Sequence, residues 1–166
     1  MRQHLAKIRS IWLSVVIVLA ACTVTLAPPY DAELASGLDS TNQTTLILFS
    51  ALSQGASADE FSRFQGQYDA AIGQFDALRI RADARETPPL SRKAIENIQL
   101  FPEFCGMDDG CVNPTPGILE TLLSTLRQMR NTHRSRGLPA DKVALFKNDY
   151  EIAITQALNV EQSFNR

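Results

Sequence analysis

Outside its first ten residues the chain holds one histidine, His133, and three cysteines, Cys22, Cys105 and Cys111. These are the side chains whose chemistry could define a function. Cys105 and Cys111 flank Gly-Met-Asp-Asp-Gly, whose two glycines let the backbone fold back. A redox-active pair uses C-x-x-C spacing at a helix start to depress a thiol pKa, and this pair has neither feature. A metal site would need more ligands than two sulfurs, and His133 is the one imidazole on offer. Asp108-Asp109-Gly110 lacks the alternating oxygens and distant glutamate of a calcium loop. Met129 lies one turn before His133, which raises the idea of a haem-binding bundle. There is no C-x-x-C-H, however, and the other helical stretches hold neither His nor Met, so His133 reads as a core or boundary residue.

Catalytic motifs are equally sparse. No serine sits in a nucleophile elbow beside a base. There is no Glu-x-x-His pair of the di-iron bundles and no phosphate-binding glycine loop. The expectation is a protein with no catalytic residues, no metal and no cofactor. Two binding features remain. Arg127, Arg130, Arg134 and Arg136 crowd one segment, where they could meet an acidic partner or lipid headgroups, or simply complement a helix C-terminus. Thr41, Thr45, Tyr68 and Tyr150 form a candidate pocket, although aromatics at such spacing usually fill a core. Asn42-Gln43-Thr44 matches a glycosylation sequon but falls inside a helical stretch, and it is discounted.

The N-terminus sets where any of this acts. Met1 to Ser10 carries Arg2, Lys7 and Arg9 and no acid, and Ile11 to Ala20 is apolar except for Ser14. That is the layout of an export signal. A membrane span needs about 20 apolar residues, whereas Ile11 to Ala27 gives 17, weakened by Thr23 and Thr25 and stopped by Pro28-Pro29. Leu19-Ala20-Ala21-Cys22 at the end of the apolar run resembles the lipobox of bacterial lipoprotein precursors. The resemblance implies acylation of the Cys22 thiol, cleavage before Cys22 and anchoring in a membrane. With Thr23, not aspartate, after the cysteine, it implies the periplasmic face of the outer membrane in a cell with two membranes. Beyond this motif the chain resembles uncharacterised small helical lipoproteins.

Composition fits export. Losing residues 1–21 removes three of the 16 Lys and Arg and none of the 18 acids, leaving a net charge near −5 on 145 residues. Such a chain is sized for one core and argues against a nucleic-acid partner. In an oxidising compartment Cys105 and Cys111, the even pair left after Cys22, should form a disulfide.

Helices must position everything else, because the mature chain shows helical periodicity throughout and no convincing strand. Leu34, Leu38, Thr41, Thr45, Leu48 and Leu52 form one stripe, closed by Gly55. Ser57-Ala-Asp-Glu60 is a capping box ahead of a second stripe: Phe61, Phe64, Tyr68, Ala71, Phe75, Leu78 and Ala82. Its opposite face, with Asp76, Arg79, Arg81, Asp83 and Arg85, reads as solvated and ion-paired. Pro88-Pro89 begins a short helix through Ile95, Ile98 and Leu100. Thr115-Pro116 supplies an N-cap and a first-turn proline for a stripe through Leu119, Leu122, Leu126, Met129 and His133, ended by Gly137. The last stripe is Val143, Phe146, Tyr150, Ala153, Ala157 and Val160. No internal repeat or low-complexity segment is evident.

Short turns place successive helices antiparallel. The expected fold is all-α, an up-and-down four-helix bundle with a short extra helix and a disulfide-stapled loop. The domains are a signal peptide (1–21), a lipidated tether (22–29) and the bundle (30–166). The expected role is a non-catalytic protein-interaction or structural module of the cell envelope, held to the membrane through Cys22 and serving an envelope protein partner. The rival is a small-ligand carrier using an inter-helix pocket.

Overall fold

The computed structural model describes residues 28–86 and 113–165. The Leu19–Cys22 motif, the expected helix through Ile95 and Leu100, and the Cys105–Cys111 loop lie outside the described residues.

Among the described residues every regular element is helical: α1 (Ala32–Ala51), a 3-10 turn (Ala58–Glu60) running into α2 (Phe61–Asp83), α3 (Thr115–Arg136) and α4 (Ala140–Phe164). Helix α1 starts where it does because the Asp31 carboxylate accepts from the amides of Glu33 and Leu34, both at 3.0 Å. These amides have no partner inside the helix. The α1–α2 connection turns on Gly55 (φ +84°), and Ser57 then opens the capping box. Its amide and hydroxyl both donate to the Glu60 carboxylate, at 3.0 and 3.2 Å. Helix α3 ends at Gly137 (φ +77°), whose amide returns to the His133 carbonyl. Its start differs from the sequence expectation. Thr115 is not the cap but the first helical residue, and its hydroxyl is drawn away to the carboxylate of Glu161.

Each helix packs on two neighbours: α1 on α2 and α4, and α3 on α2 and α4. The result is a four-helix bundle. The stripes supply its core, and Phe49, Leu123 and Ile154 widen them. Phe61, Leu78 and Phe146 sit at the margin, partly buried against that core.

Against the expectation of no internal repeat, the described helices align in pairs along the sequence. A shift of 82 residues carries Gly55, Ala58, Asp59, Phe64, Tyr68, Ala71, Ile72 and Gln74 onto Gly137, Ala140, Asp141, Phe146, Tyr150, Ala153, Ile154 and Gln156, residue type for residue type. In the preceding helix a shift of 81 superposes the buried positions: Leu34 on Thr115, Leu38 on Leu119, Thr41 on Leu122, Thr45 on Leu126, Leu48 on Met129 and Leu52 on His133. The bundle is therefore two quasi-equivalent helical hairpins, α1–α2 and α3–α4. Their turns meet at one end, where Ala56 and Leu138 exchange two backbone hydrogen bonds of 2.9 and 2.8 Å.

That junction needs its glycines. A Cβ on Gly55 would stand 2.8 Å from the Leu138 carbonyl oxygen, and one on Gly137 would stand 2.9 Å from that of Ala56. We call this end the clasp. The other end, roughly 30 Å away along α1 at 1.5 Å per residue, gathers the start of α1, the end of α2, the start of α3 and the end of α4.

Candidate functional site

The clasp end carries the one imidazole of the described residues. His133 is fully buried at the last turn of α3, with Phe61, Phe64 and Tyr68 of α2 around its ring at centroid distances of 5.5, 5.6 and 5.8 Å. Its Nε2 lies 3.1 Å from the Ser57 carbonyl oxygen, and its Nδ1 lies 3.2 Å from the Tyr68 hydroxyl. A carbonyl can only accept, so Nε2 carries the proton, and Nδ1 accepts from Tyr68. Burial pushes the imidazole below its ordinary pKa, opposed by the Ser57 carbonyl and the nearby Glu60 carboxylate. Burial likewise raises the Tyr68 phenol. The ring is thus a neutral link joining the turn, α2 and α3. Above it lies an open cleft of about 520 Å³, lined by Gln54, Ser57, Glu60, Arg136, Leu138 and Pro139.

The four candidate pocket residues are all buried, but they divide between two places. Tyr68 belongs to the His133 corner. Tyr150 lies farther into the bundle, packed on Phe49 and Phe75 at 5.2 and 6.1 Å. Its hydroxyl donates to Asn42 Oδ1 at 2.9 Å and has the Thr45 hydroxyl within reach. Thr45 in turn donates to the Thr41 carbonyl at 2.8 Å. Thr45 and Tyr150 are therefore together, Tyr68 is elsewhere, and the hydroxyls of Thr45, Tyr68 and Tyr150 are engaged by protein groups. Asn42, half of the discounted sequon, is the partner that sequence reasoning passed over.

The arginine-rich segment is largely spoken for as well. Arg130 pairs with Asp69 of α2 at 2.9 Å, and Arg127 pairs with Glu120 at 3.1 Å. Arg79 of α2 reaches Asp76 and Glu120 at 3.0 and 3.4 Å. Arg130–Asp69 and Arg79–Glu120 stitch α2 to α3 along their shared edge, and the other two pairs stay within one helix. Arg134 and Arg136 are exposed in the last turn, where positive charge complements the helix C-terminus.

The far end holds a buried charge. Arg85, expected on the solvated face, has only 5% of its side chain exposed, and Glu161 has 1%. Arg85 Nη2 meets Glu161 Oε2 at 2.8 Å, the other oxygen takes the Thr115 hydroxyl, and the guanidinium lies 5.4 Å over the Phe164 ring. The periodicity held the signal. Arg85 continues the stripe Phe75, Leu78, Ala82 by a step of three, and Glu161 continues Tyr150, Ala153, Ala157 by a step of four. A lone charge on a core stripe is costly, so two of opposite sign at the ends of two stripes point to a buried pair. Beside it, Arg81 binds Asp31 at 2.6 Å and also Glu33. The Arg81 guanidinium holds the Asp31 carboxyl below its usual range, against the opposing effect of burial.

Among the described residues there is no cluster of three metal-binding side chains, and no helix is long and apolar enough to cross a membrane. No family model, curated protein or solved structure matches the chain.

Proposed function

We propose that this protein is a lipid-anchored helical module of a bacterial cell envelope, tethered through Cys22, that acts by binding or scaffolding and not by catalysis. One observation carries the proposal: Leu19-Ala20-Ala21-Cys22 stands at the end of a basic-then-apolar segment. A diacylated cysteine gives stable attachment where a single acyl chain would not. The seven residues from Thr23 to Pro29 reach about 23 Å at roughly 3.3 Å each, which keeps the bundle beside its own membrane. The short extra helix and a Cys105–Cys111 disulfide belong to the same proposal. Buried residues engaged with each other favour a module that presents a surface over one that encloses a ligand, so the carrier is the rival reading.

Metabolic labelling with a fatty acid tests the anchor. The wild-type chain should take up label, and Cys22→Ala should lose it and accumulate as uncleaved or mislocalised precursor. Undiminished label in the variant would overturn the reading. Mass spectrometry of unreduced, alkylated protein should show Cys105 and Cys111 unmodified and joined, while finding both alkylated would refute their pairing.

A further inference from the structure

The two hairpins carry many of the same residue types at matching positions, and the clasp corner holds a pair that differs in chemistry. Position 52 in the first hairpin is leucine, and its counterpart in the second is His133, both fully buried. Leucine shows that the corner needs only an apolar filler. Histidine fills the same seat and adds two polar ring atoms, each committed to one partner: Nε2 to the Ser57 carbonyl and Nδ1 to the Tyr68 hydroxyl. We propose that His133 is an acid-sensitive latch: protonating it undocks the α1–α2 turn from α3 and opens the Ala56–Leu138 junction.

The geometry explains why. In the neutral ring Nδ1 is an acceptor, and the Tyr68 hydroxyl uses its proton there. A proton from solvent placed on Nδ1 turns both ring nitrogens into donors. Tyr68 must then rotate to accept, and its own proton loses its acceptor in a fully buried setting. The new charge lies on a fully buried side chain packed against the Phe61 and Phe64 rings. The surrounding charged groups do little to offset this. The 3-10 turn brings Asp59 and Glu60, α2 brings Arg63, α3 carries Arg130, Arg134 and Arg136, and α4 begins with Asp141 and Lys142. Glu60 is the group whose charge favours a protonated ring, but its carboxylate already takes the Ser57 amide and hydroxyl and the Arg63 guanidinium. Arg130 is committed to Asp69.

Release is therefore local. Ser57 is adjacent to Ala56, so freeing its carbonyl loosens the residue that exchanges hydrogen bonds with Leu138. The cleft between the two turns, lined by Gln54, Glu60 and Arg136 among others, widens as they separate. Low pH would thus change the surface this end presents. This holds whether or not the chain is lipidated.

Hydrogen exchange on the full-length protein in detergent tests the latch, with protection corrected for the intrinsic pH dependence of exchange. Between about pH 7.5 and about pH 5, protection of peptides covering Ala56 and Leu138 should fall about tenfold in the wild type. Peptides from the middle of α3 should hold theirs. In His133→Leu, which copies the Leu52 seat, the clasp peptides should keep their protection across that range. In Tyr68→Phe the neutral ring loses its donor, so the loss of protection should set in at higher pH. Wild-type protection that does not change with pH would overturn the proposal, as would an unaltered pH dependence in a folded His133→Leu. Should His133→Leu fail to fold, an onset that does not move in Tyr68→Phe would overturn it.

Discussion

The two ends of the bundle solve the same problem with opposite chemistry. At the clasp, helix ends meet through neutral groups: two backbone hydrogen bonds, two left-handed glycines and an uncharged histidine between a carbonyl and a phenol. At the far end, helix ends meet through charge: Arg85 on Glu161 inside the protein, and Arg81 on Asp31 and Glu33 at its surface. Neutral networks are insensitive to salt but depend on geometry, so a small backbone change undoes them. A buried ion pair tolerates little removal, because either partner alone is an uncompensated charge. The quasi-repeat relates one hairpin to the other and maps each end onto itself, so the contrast between the ends is one of the side chains placed there.

Removing one charge should produce the largest loss. Glu161→Ala strands Arg85, whose Nε and Nη1 have no hydrogen-bond partner among the described residues. Urea unfolding should show a loss of roughly 3–5 kcal/mol. A loss under about 1 kcal/mol would show that the far end is wetter than its burial indicates.

The clasp should answer most strongly to its glycines. Gly137→Ala forces a side chain into a positive-φ position with its Cβ 2.9 Å from a carbonyl oxygen and 3.1 Å from the Ala58 nitrogen. We expect a cost of about 2–3 kcal/mol, concentrated at the junction and seen as lost protection at Ala56 and Leu138. Gly66→Ala meets nothing within 4 Å and serves as the control. It should be neutral or slightly stabilising in mid-helix.

Smaller effects separate the ends by pH. Tyr68→Phe leaves His133 Nδ1 buried without its donor, for about 1–2 kcal/mol at neutral pH. Asp31→Ala loses an N-cap worth about 1 kcal/mol, to which the half-exposed Arg81 pair adds little. The acid responses should come in order. Burial depresses His133 below its ordinary 6.5, so the clasp's stability is complete above that value and is lost as pH falls through the lower folded value. Arg81 depresses Asp31 below 3.8, so that contribution persists to lower pH and is lost only as pH falls through its own folded value. An NMR titration should show the clasp amides shifting before those of Glu33 and Leu34, and the reverse order would break the comparison.

Much of this was legible beforehand, for identifiable reasons. Stripe periodicity located all four helices, and Gly55, the Ser57–Glu60 capping box and Gly137 marked their ends, because each is a local rule with a local cause. What failed depended on partners distant in sequence. Thr115 is a good N-cap by type, yet Glu161, 46 residues on, takes its hydroxyl. Arg85 reads as surface when its charge is weighed above its stripe position. The repeat is hard to see in the sequence because its two halves need shifts of 82 and 81 residues, so no single offset aligns both helices of a hairpin. Tyr68 and Tyr150 both fall on core stripes, which alone does not tell whether they share one pocket with Thr41 and Thr45. They are in fact counterparts in the repeat, which is why they sit in different corners.

The central functional claim is that this bundle acts beside the membrane that anchors it, and crosslinking in intact membranes across a series of tether lengths tests it most directly. Flexible residues inserted between Thr23 and Pro28 lower the effective concentration of anything held in the same membrane. The account predicts that the captured partner is membrane-bound and that yield falls as the tether grows. Partners that are all freely soluble, captured with a yield independent of tether length, would contradict it.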